Sequence, residues 1–171
     1  METKNIPYKN YVILTVAIDF TVLTVFYCRS WYITTKEYYN NNSIILDTIS
    51  EIKNEEIGNY AMDNPDFVLY VSSGRNTEIK SFEKKLKKFI LKNDLRNNVL
   101  YLNLEGVDVA EFNKSLNSMA NKNVESKLQD KNSSAIYIFK EGKIVKTLKS
   151  NTDTDKMKVV FQSYGIVENN D

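Results

Sequence analysis

Residues Asp66–Leu91 read DFVLYVSSGRNTEIKSFEKKLKKFIL, and this stretch decides the fold. The continuous apolar run Phe67–Val71 predicts a central strand that is buried on both faces. A polar loop follows, and apolar residues then recur at helical spacing, which predicts an amphipathic helix capped by Thr77. In an open α/β sheet, ligands usually bind at the loop that leaves the carboxyl end of such a strand. We therefore look for a site between Ser72 and Lys80.

The composition of the whole chain excludes several kinds of site. The 171 residues include 23 basic and 22 acidic side chains, so no overall charge draws the protein to nucleic acid. There is no histidine, the commonest metal ligand and the commonest general base at neutral pH. The single cysteine, Cys28, excludes an intrachain disulfide. We expect no metal, no cofactor, no catalytic residue and no nucleic-acid partner.

The stretch YVILTVAIDFTVLTVFYC, residues 11–28, predicts one transmembrane helix in the lipid bilayer. At 1.5 Å per residue it reaches about 27 Å, enough to cross a hydrocarbon core, and aromatic residues border both ends. We expect an N-terminal tail at residues 1–10 and a juxtamembrane linker at residues 29–43. Lys4 and Lys9 favour an inside N-terminus. The Asn, Lys and Ile content is typical of AT-rich bacterial genomes, so we expect a single-pass protein of a bacterial cell membrane with an extracytoplasmic domain.

Asp19 lies at the centre of this span, where a carboxylate costs about 3 kcal/mol. Either the apolar neighbours simply tolerate it, or it makes a polar contact with another transmembrane helix, with Thr15 one turn earlier sharing a hydrogen bond. A cleaved signal peptide is disfavoured because bulky residues precede Arg29, where a cleavage site needs small ones. A buried soluble helix or strand remains the alternative for the stretch as a whole.

From residue 44 onward, predicted strands and helices alternate. The expected elements are a short strand or helical turn at 44–52, a helix at 55–62 capped by Asn54, a strand at 67–71, a helix from Thr77 to Lys92, a strand at 99–104, a helix at 107–119, strands at 135–139 and 144–148 joined by a hairpin turn, and a helix at 156–164 capped by Asp153. This order predicts an α/β fold, a mixed sheet flanked by helices. We expect the domain to span residues 44–164 and a C-terminal tail to follow at residues 165–171.

The order of elements is that of the thioredoxin fold, and two motifs add to the likeness. AIYIFKEGKIVKTL, residues 135–148, resembles the final hairpin of the thioredoxin family. The central stretch resembles thioredoxin-like proteins of the bacteriocin-transport-accessory type, in which a strand, a short loop and Cys-x-x-Cys precede a helix containing Phe-Glu, here Phe82-Glu83. Read without gaps between Tyr70-Val71 and Phe82-Glu83, the two cysteine positions fall on Asn76 and Ile79. The resemblance therefore implies a degenerate thioredoxin-like domain without the Cys-x-x-Cys motif.

The absent cysteines bear directly on function. Thiol–disulfide exchange needs a thiolate that attacks sulfur, and neither Asn76 nor Ile79 supplies one. The position of the family's cis-proline, which helps to receive an extended substrate, falls on Ser134. The remaining candidates for binding are hydroxyl and amide groups near a helix N-terminus, a region that favours anions. They are Ser72, Ser73, Asn76 and Thr77, and Ser134 is a fifth candidate. The alternative is that the first four residues only cap and turn the chain.

Three functional hypotheses follow. The first is a membrane-anchored, non-catalytic binding or assembly module that interacts with another membrane or membrane-associated protein. The second is an enzyme derived from a thiol–disulfide oxidoreductase, or a redox accessory protein, at the membrane. The third is a soluble structural protein whose N-terminal segment packs on its own domain. The lysine face of the helix ending at Lys92 is either a solvated surface or a contact with anionic lipid. The sequence leaves the oligomeric state open.

Overall fold

The computed structural model describes residues 7–74, 76–125, 127–128, 133–150 and 152–168. The chain divides into two units, residues 1–40 and residues 41–171. The first unit is occupied by a single long helix, α1, Tyr8–Asn41. By length and composition, its stretch Tyr8–Tyr38 is able to cross a membrane. Its apolar side chains, such as Phe20 and Leu23, are exposed.

Helix α1 is longer than the predicted transmembrane segment. It begins at Tyr8, within the predicted N-terminal tail, whose first six residues lie outside the described part of the chain. It does not end at Cys28 but continues to Asn41, so nearly all of the predicted linker is helical. The physical reason is that residues 29–41 contain neither glycine nor proline to end a helix.

Three threonines of α1 satisfy their hydroxyls within the helix. Thr15, Thr21 and Thr24 each donate to the carbonyl four residues earlier, at 3.0, 2.8 and 2.8 Å. This back-bonding is the usual solution for a hydroxyl in an apolar helix. The hydroxyl of Thr15 is thus bonded to the carbonyl of Tyr11 and not to the carboxylate of Asp19, contrary to the sharing that the sequence suggested.

The second unit is the predicted α/β domain, built on one five-stranded mixed sheet. Its elements are β1 (Ser50–Glu51), α2 (Ile57–Asp63), β2 (Phe67–Ser72), α3 (Thr77–Lys92), β3 (Val99–Asn103), α4 (Val109–Met119), β4 (Ala135–Lys140), β5 (Lys143–Lys149) and α5 (Thr154–Ser163). The strand order is β1-β3-β2-β4-β5; β1, β3 and β2 run parallel, and β4 and β5 are antiparallel to their neighbours. The predicted order of elements is therefore confirmed.

Two hydrophobic cores lie on opposite faces of the sheet. Val68 and Tyr70 of β2 point into the core shared with α3 and α5, whereas Leu69 and Val71 point into the core shared with α2 and α4. All six residues of β2 are buried, as expected for a central strand covered on both faces. The sequence pattern of Phe67–Val71 was thus interpreted correctly.

The hairpin between β4 and β5 turns where it was predicted. Glu141 and Gly142 have φ angles of +52° and +72°, the left-handed pair of a type I′ turn, which suits the twist of two antiparallel strands. Asp66, just before β2, holds this turn: its carboxylate accepts from Lys140 Nζ at 2.8 Å and from the Glu141 N–H at 3.0 Å. At the other side of the hairpin, β5 is an edge strand, and among the described residues only Ile144 is bridged there, by Ala120.

Two predicted helix caps differ in detail. Asn54 does not cap α2, because it lies inside a 3₁₀ turn, Asn54–Glu56, that leads into the helix. The carboxylate of Glu56 reaches back to the Lys53 N–H at 3.0 Å, and this bond places the start of the turn at Lys53. Asp153 does stand at the N-cap of α5, but its side chain makes no capping hydrogen bond and instead accepts from the Thr154 hydroxyl at 3.3 Å.

Candidate functional site at the loop after β2

The loop after β2 leads into α3 through Asn76. The Asn76 side-chain oxygen accepts from the Glu78 N–H at 2.9 Å, and its backbone is extended, as an N-cap requires. The prediction that Thr77 caps this helix is therefore wrong by one residue. Asn76 captures the free N–H group two residues ahead, and Thr77 becomes the first helical residue, with an exposed side chain.

The two positions that the resemblance assigns to cysteines have structural roles. Asn76 caps α3, and Ile79 is only 4% exposed, packed among the apolar residues beneath that helix. The one cysteine of the chain, Cys28, lies in α1. Neither of these two positions therefore carries a sulfur atom.

A buried carboxylate, Glu83, lies behind the loop. Its side chain is fully buried on α3, and its Oε1 accepts from Ser43 Oγ at 2.7 Å, from Ser72 Oγ at 2.9 Å and from the Tyr70 hydroxyl at 3.2 Å. Its Oε2 accepts from the Ile44 N–H at 2.8 Å. A carboxylate is tolerated in an apolar interior only when donors surround it in this way. Glu83 is therefore the centre of a polar network that joins α3, β2 and the start of the domain.

Ser72 connects this network to the loop. Its hydroxyl donates to Glu83 and accepts from the Gly74 N–H at 3.2 Å. Its carbonyl accepts from the Tyr101 hydroxyl of β3 at 3.0 Å and from the Leu104 N–H at 3.0 Å. Ser72 is completely buried. Of the predicted binding residues, Ser72 thus directs its hydroxyl into the domain, toward Glu83.

The segment that follows α1 packs closely against this loop and helix. A Cβ on Gly74 would lie 2.8 Å from the Ser43 nitrogen and 2.9 Å from its Cα, so only glycine fits there. Gly74 also has a φ of +68°, which favours glycine independently. Further along, Lys87 Nζ contacts Asp47 Oδ2 at 2.6 Å and holds the same segment to α3.

The tyrosines around the network remain protonated at neutral pH. Burial, helped by the neighbouring Glu83 carboxylate, raises the pKa of Tyr70 well above its usual value of 10.0. Burial raises the pKa of Tyr101 to about 12. On the other face of the sheet, burial also raises the pKa of Tyr137. The hydroxyls of Tyr70 and Tyr101 act as hydrogen-bond donors, and none of the three tyrosines is poised to act as a base near pH 7.

Glu83 was not recognised as a special residue from the sequence, although a signal was present. It lies four residues after Ile79, three before Leu86 and seven before Ile90, so it falls on the apolar stripe of α3. The structure confirms that all four of these side chains are buried. A charged residue in the middle of an apolar stripe indicates a buried polar contact, whereas its partners across the fold cannot be read from local spacing.

In the structure, Ser134 lies next to the loop. Ala135 pairs with Val71 in the β2–β4 ladder, so Ser134 lies one residue beyond that pair, beside Ser72. Ser134 is 6% exposed, and its Oγ has no hydrogen-bond partner among the described residues. The Oγ of Ser73 is also buried and also has no hydrogen-bond partner among the described residues.

A groove of about 630 Å³ lies beside Ser134. Glu78 of α3 borders it, and most of its other lining comes from β5 and from residues 123–125 and 127–128, including Val124, Thr147 and Leu128. The Oγ1 of Thr147 is also buried and, within the described ranges, unpaired. Hydroxyls along a strand edge suit an extended peptide better than proton transfer. No cluster of metal-binding side chains was found among the residues that the structure describes.

Comparisons with known proteins support the fold alone. No family model matches the chain. No curated protein matches it in sequence. Among solved structures, the crystal structure of thioredoxin f2 from Chlamydomonas reinhardtii is similar, with a TM-score of 0.51 and 10% sequence identity over 70% of this chain and 99% of that one. The domain therefore has a thioredoxin-like fold, and at this identity the likeness says nothing about activity. Kinship with the bacteriocin-transport-accessory type stays a prediction.

Proposed function

We propose that this protein is a membrane-anchored thioredoxin-fold module that does not exchange thiols but binds another membrane or membrane-associated protein. The observation that carries the proposal is the structural use of Asn76 and Ile79, one as a helix cap and the other as a core residue. Residues 41–171 contain no cysteine at all. Exchange requires a thiolate, so the domain has no group of its own that could attack a disulfide.

The anchor in this proposal is α1, in a bacterial cell membrane, with the domain extracytoplasmic. The exposed apolar side chains of Tyr8–Tyr38 support it, because water would not tolerate so large an apolar surface on an isolated helix. Alkaline carbonate extraction of membranes tests the anchor. An anchored protein stays in the membrane pellet, whereas a protein whose N-terminal segment packs on its own domain is released.

The proposed contact surface is the groove beside Ser134, together with Ser73, Asn76 and Thr77 in the loop and at the start of α3. The unpaired oxygens of Ser134 and Ser73 support it, since a buried hydroxyl without a partner costs about 1–3 kcal/mol unless something bonds to it. Backbone groups of a partner peptide would supply that bond. Ser72, whose hydroxyl is bonded to Glu83, contributes only by holding the loop in place.

A thiol-exchange assay tests the absence of redox activity. Full-length protein in detergent micelles is mixed with insulin and a reductant, and a Cys28→Ser variant is measured beside it. We expect both proteins to reduce insulin no faster than the reductant alone. Turnover above that background in the variant would overturn the proposal in favour of a redox protein that works without its own cysteines.

Site-specific photo-crosslinking in the native membrane tests the contact surface. p-Benzoylphenylalanine replaces Lys146, which lines the groove, and in a matched variant it replaces Lys114, an exposed residue of α4. We expect a protein adduct from the first position and none from the second. Adding Asp19→Leu to the first variant then tests whether a polar contact within the membrane strengthens the same complex.

A further inference from the structure

The second half of α3 presents an unusually uniform charge to solvent. Between residues 84 and 92, its exposed charged side chains are all lysines: Lys84, Lys85, Lys88 and Lys92. Helix α5 adds the exposed Lys158. Among the residues that the structure describes, none of these five lysines forms an ion pair with a carboxylate, whereas Lys87 on the flank of α3 is paired with Asp47. The five ammonium groups are therefore available to an outside anion.

Four of these lysines surround a groove between α3 and α5. The groove has a volume of about 540 Å³ and contains apolar surface from Phe89 and Val167. Its charged lining is Lys85, Lys88, Lys92 and Lys158, against Asp155 and Glu168. Positive charge is thus in excess. The groove begins eight residues after Thr77, about 12 Å along α3, so it is separate from the loop site.

Exposed aliphatic side chains accompany the lysines. Leu91 on α3 is 41% exposed and lies three residues after Lys88, and Val159 on α5 is 65% exposed and lies three residues after Lys156, a spacing that makes side chains neighbours on a helix surface. Lysines combined with exposed aliphatic residues are the usual composition of a surface that lies on a membrane interface. A surface built only to be soluble needs no such aliphatic residues.

The choice of lysine over arginine favours lipid over protein as the occupant. Interfaces between proteins are enriched in arginine and aromatic residues and depleted in lysine. Attraction to anionic headgroups requires only positive charge, and each lysine near such a surface contributes about 1 kcal/mol. We propose that this lysine groove, with the exposed face of α3, binds anionic phospholipid headgroups of the bilayer that holds α1. The inference rests on the proposed membrane anchor but not on the proposed protein partner.

Lysine footprinting of the full-length protein tests the inference. The protein is placed in nanodiscs of phosphatidylcholine alone, or with about 30% phosphatidylglycerol, and acetylation of each lysine is followed by mass spectrometry. We expect acetylation at the four groove lysines to be at least about fivefold slower in the anionic discs, and about 1 M salt to remove the difference. Lys53, Lys122 and Lys143, which are exposed on other parts of the domain, should react equally in both discs.

Three results would overturn the inference. Equal acetylation of the groove lysines in both discs would exclude a lipid contact and leave an acidic protein as the occupant. If acetylation of Lys53, Lys122 and Lys143 slowed as much as that of the groove lysines, the effect would come from the general surface potential of the bilayer and not from the groove. Protection by soluble glycerol phosphate in phosphatidylcholine discs would identify a small phosphate as the ligand. Carbonate extraction separately reports whether α1 is inserted, so loss of the anchor and loss of the lipid contact give different results.

A charge-neutralised variant provides a second measurement. Lys85, Lys88, Lys92 and Lys158 are changed to Gln, and Lys84 is retained as a reporter on the same face. We expect the protection of Lys84 in anionic discs to disappear in this variant. It should persist in a matched variant in which Lys53, Lys114, Lys122 and Lys143, all exposed and outside both grooves, are changed to Gln. Circular dichroism of both variants verifies that the fold is unchanged, and persistence in the first variant would contradict the inference.

Discussion

The hydroxyl of Ser43 donates a 2.7 Å hydrogen bond to Oε1 of Glu83, 40 residues further along the chain. Ser43 comes two residues after the end of α1, and Glu83 lies in the second turn of α3. The Ile44 N–H adds a second bond to the same carboxylate at 2.8 Å. The first residues of the domain are therefore fixed to the helix that begins at the candidate site.

Removing the Ser43 hydroxyl should destabilise the domain markedly. A hydrogen bond to a charged group contributes about 1.5–3 kcal/mol, so Ser43→Ala should lower the free energy of unfolding by that amount. Urea denaturation followed by circular dichroism measures it. Ser118→Ala removes an exposed hydroxyl bond on α4 and serves as the control, with an expected change within about 0.5 kcal/mol. Equal stability of the two variants would contradict the role assigned to the buried network.

Glu83→Gln should lower the free energy of unfolding by more than Ser43→Ala does. Oε1 accepts three hydrogen bonds and Oε2 accepts one, and an amide must place an N–H₂ group opposite one set of these donors. Disrupting a buried network in this way typically costs about 3–5 kcal/mol. The same urea experiment measures the loss. A cost no larger than that of Ser43→Ala would mean that the donors rearrange around the amide.

Gly74 and Gly106 form a matched pair for testing the close approach to Ser43. Both have positive φ angles, +68° and +78°, but a Cβ on Gly106 would meet nothing within 4 Å. Gly106→Ala should therefore cost only the left-handed backbone penalty, about 1–2 kcal/mol. Gly74→Ala adds a clash with the Ser43 backbone and should cost at least about 1 kcal/mol more. Equal losses of thermal stability would show that the Ser43 segment moves aside freely.

The cap of α3 can be assigned by two neighbouring substitutions. Asn76→Ala removes the side-chain acceptor for the Glu78 N–H and should cost about 1 kcal/mol of stability. Thr77→Ala changes an exposed first-turn residue and should be close to neutral. Chemical denaturation of both variants distinguishes these outcomes. The reverse order of costs would restore Thr77 as the cap.

Alkaline titration should couple tyrosine ionisation to unfolding. The pKa of Tyr101 is raised from 10.0 to about 12, so the folded state holds this proton more tightly than the unfolded chain does. Its contribution to stability is then complete below pH 10 and is lost as the pH rises toward 12. Stability measured by thermal melting should fall over that range. Tyrosinate absorbance should show Tyr101 among the last of the 11 tyrosines to ionise.

A Tyr101→Phe variant checks this assignment. It should lose part of the late-ionising absorbance and part of the decline in stability above pH 10. It also loses the hydrogen bond to the Ser72 carbonyl, which costs about 1 kcal/mol at neutral pH. A variant with the wild-type alkaline profile would assign the late ionisation to Tyr70 or Tyr137 instead.

The strands and the hairpin could be predicted because their signals are local. The run Phe67–Val71 indicates a strand buried on both faces, and the pair Glu141-Gly142 indicates a tight turn. The strand β1 has only two residues, too few to set a periodicity, and its place in the sheet depends on pairing with Leu100 and Tyr101 of β3. Short elements of this kind are fixed by tertiary contacts, which sequence spacing does not contain.

The sequence indicates where the candidate site lies along the chain but not the hydrogen bonds inside it. Counting from Phe82-Glu83 places the cysteine positions of the resembled family on Asn76 and Ile79, which stays a prediction, and the structure gives each residue a local role. The bonds from Ser43 and Tyr70 to Glu83 join separate elements, so no local pattern indicates them. The N-cap of α3 was predicted one residue too late because Asn and Thr are both good N-caps. Only the backbone conformation decides between them.

The lysines of β5 restrict which chains are able to pair with its open edge. Lys143, Lys146 and Lys149 recur along that strand, and all three are exposed. A second copy of the protein that met this edge would bring its own lysines opposite them, and like charges on paired strands repel. Proteins anchored in one bilayer collide frequently, so an unguarded edge would invite polymerisation into sheets. If α1 anchors the protein as proposed, the positive charge of this edge disfavours pairing with a second copy and suits a segment that carries acidic residues.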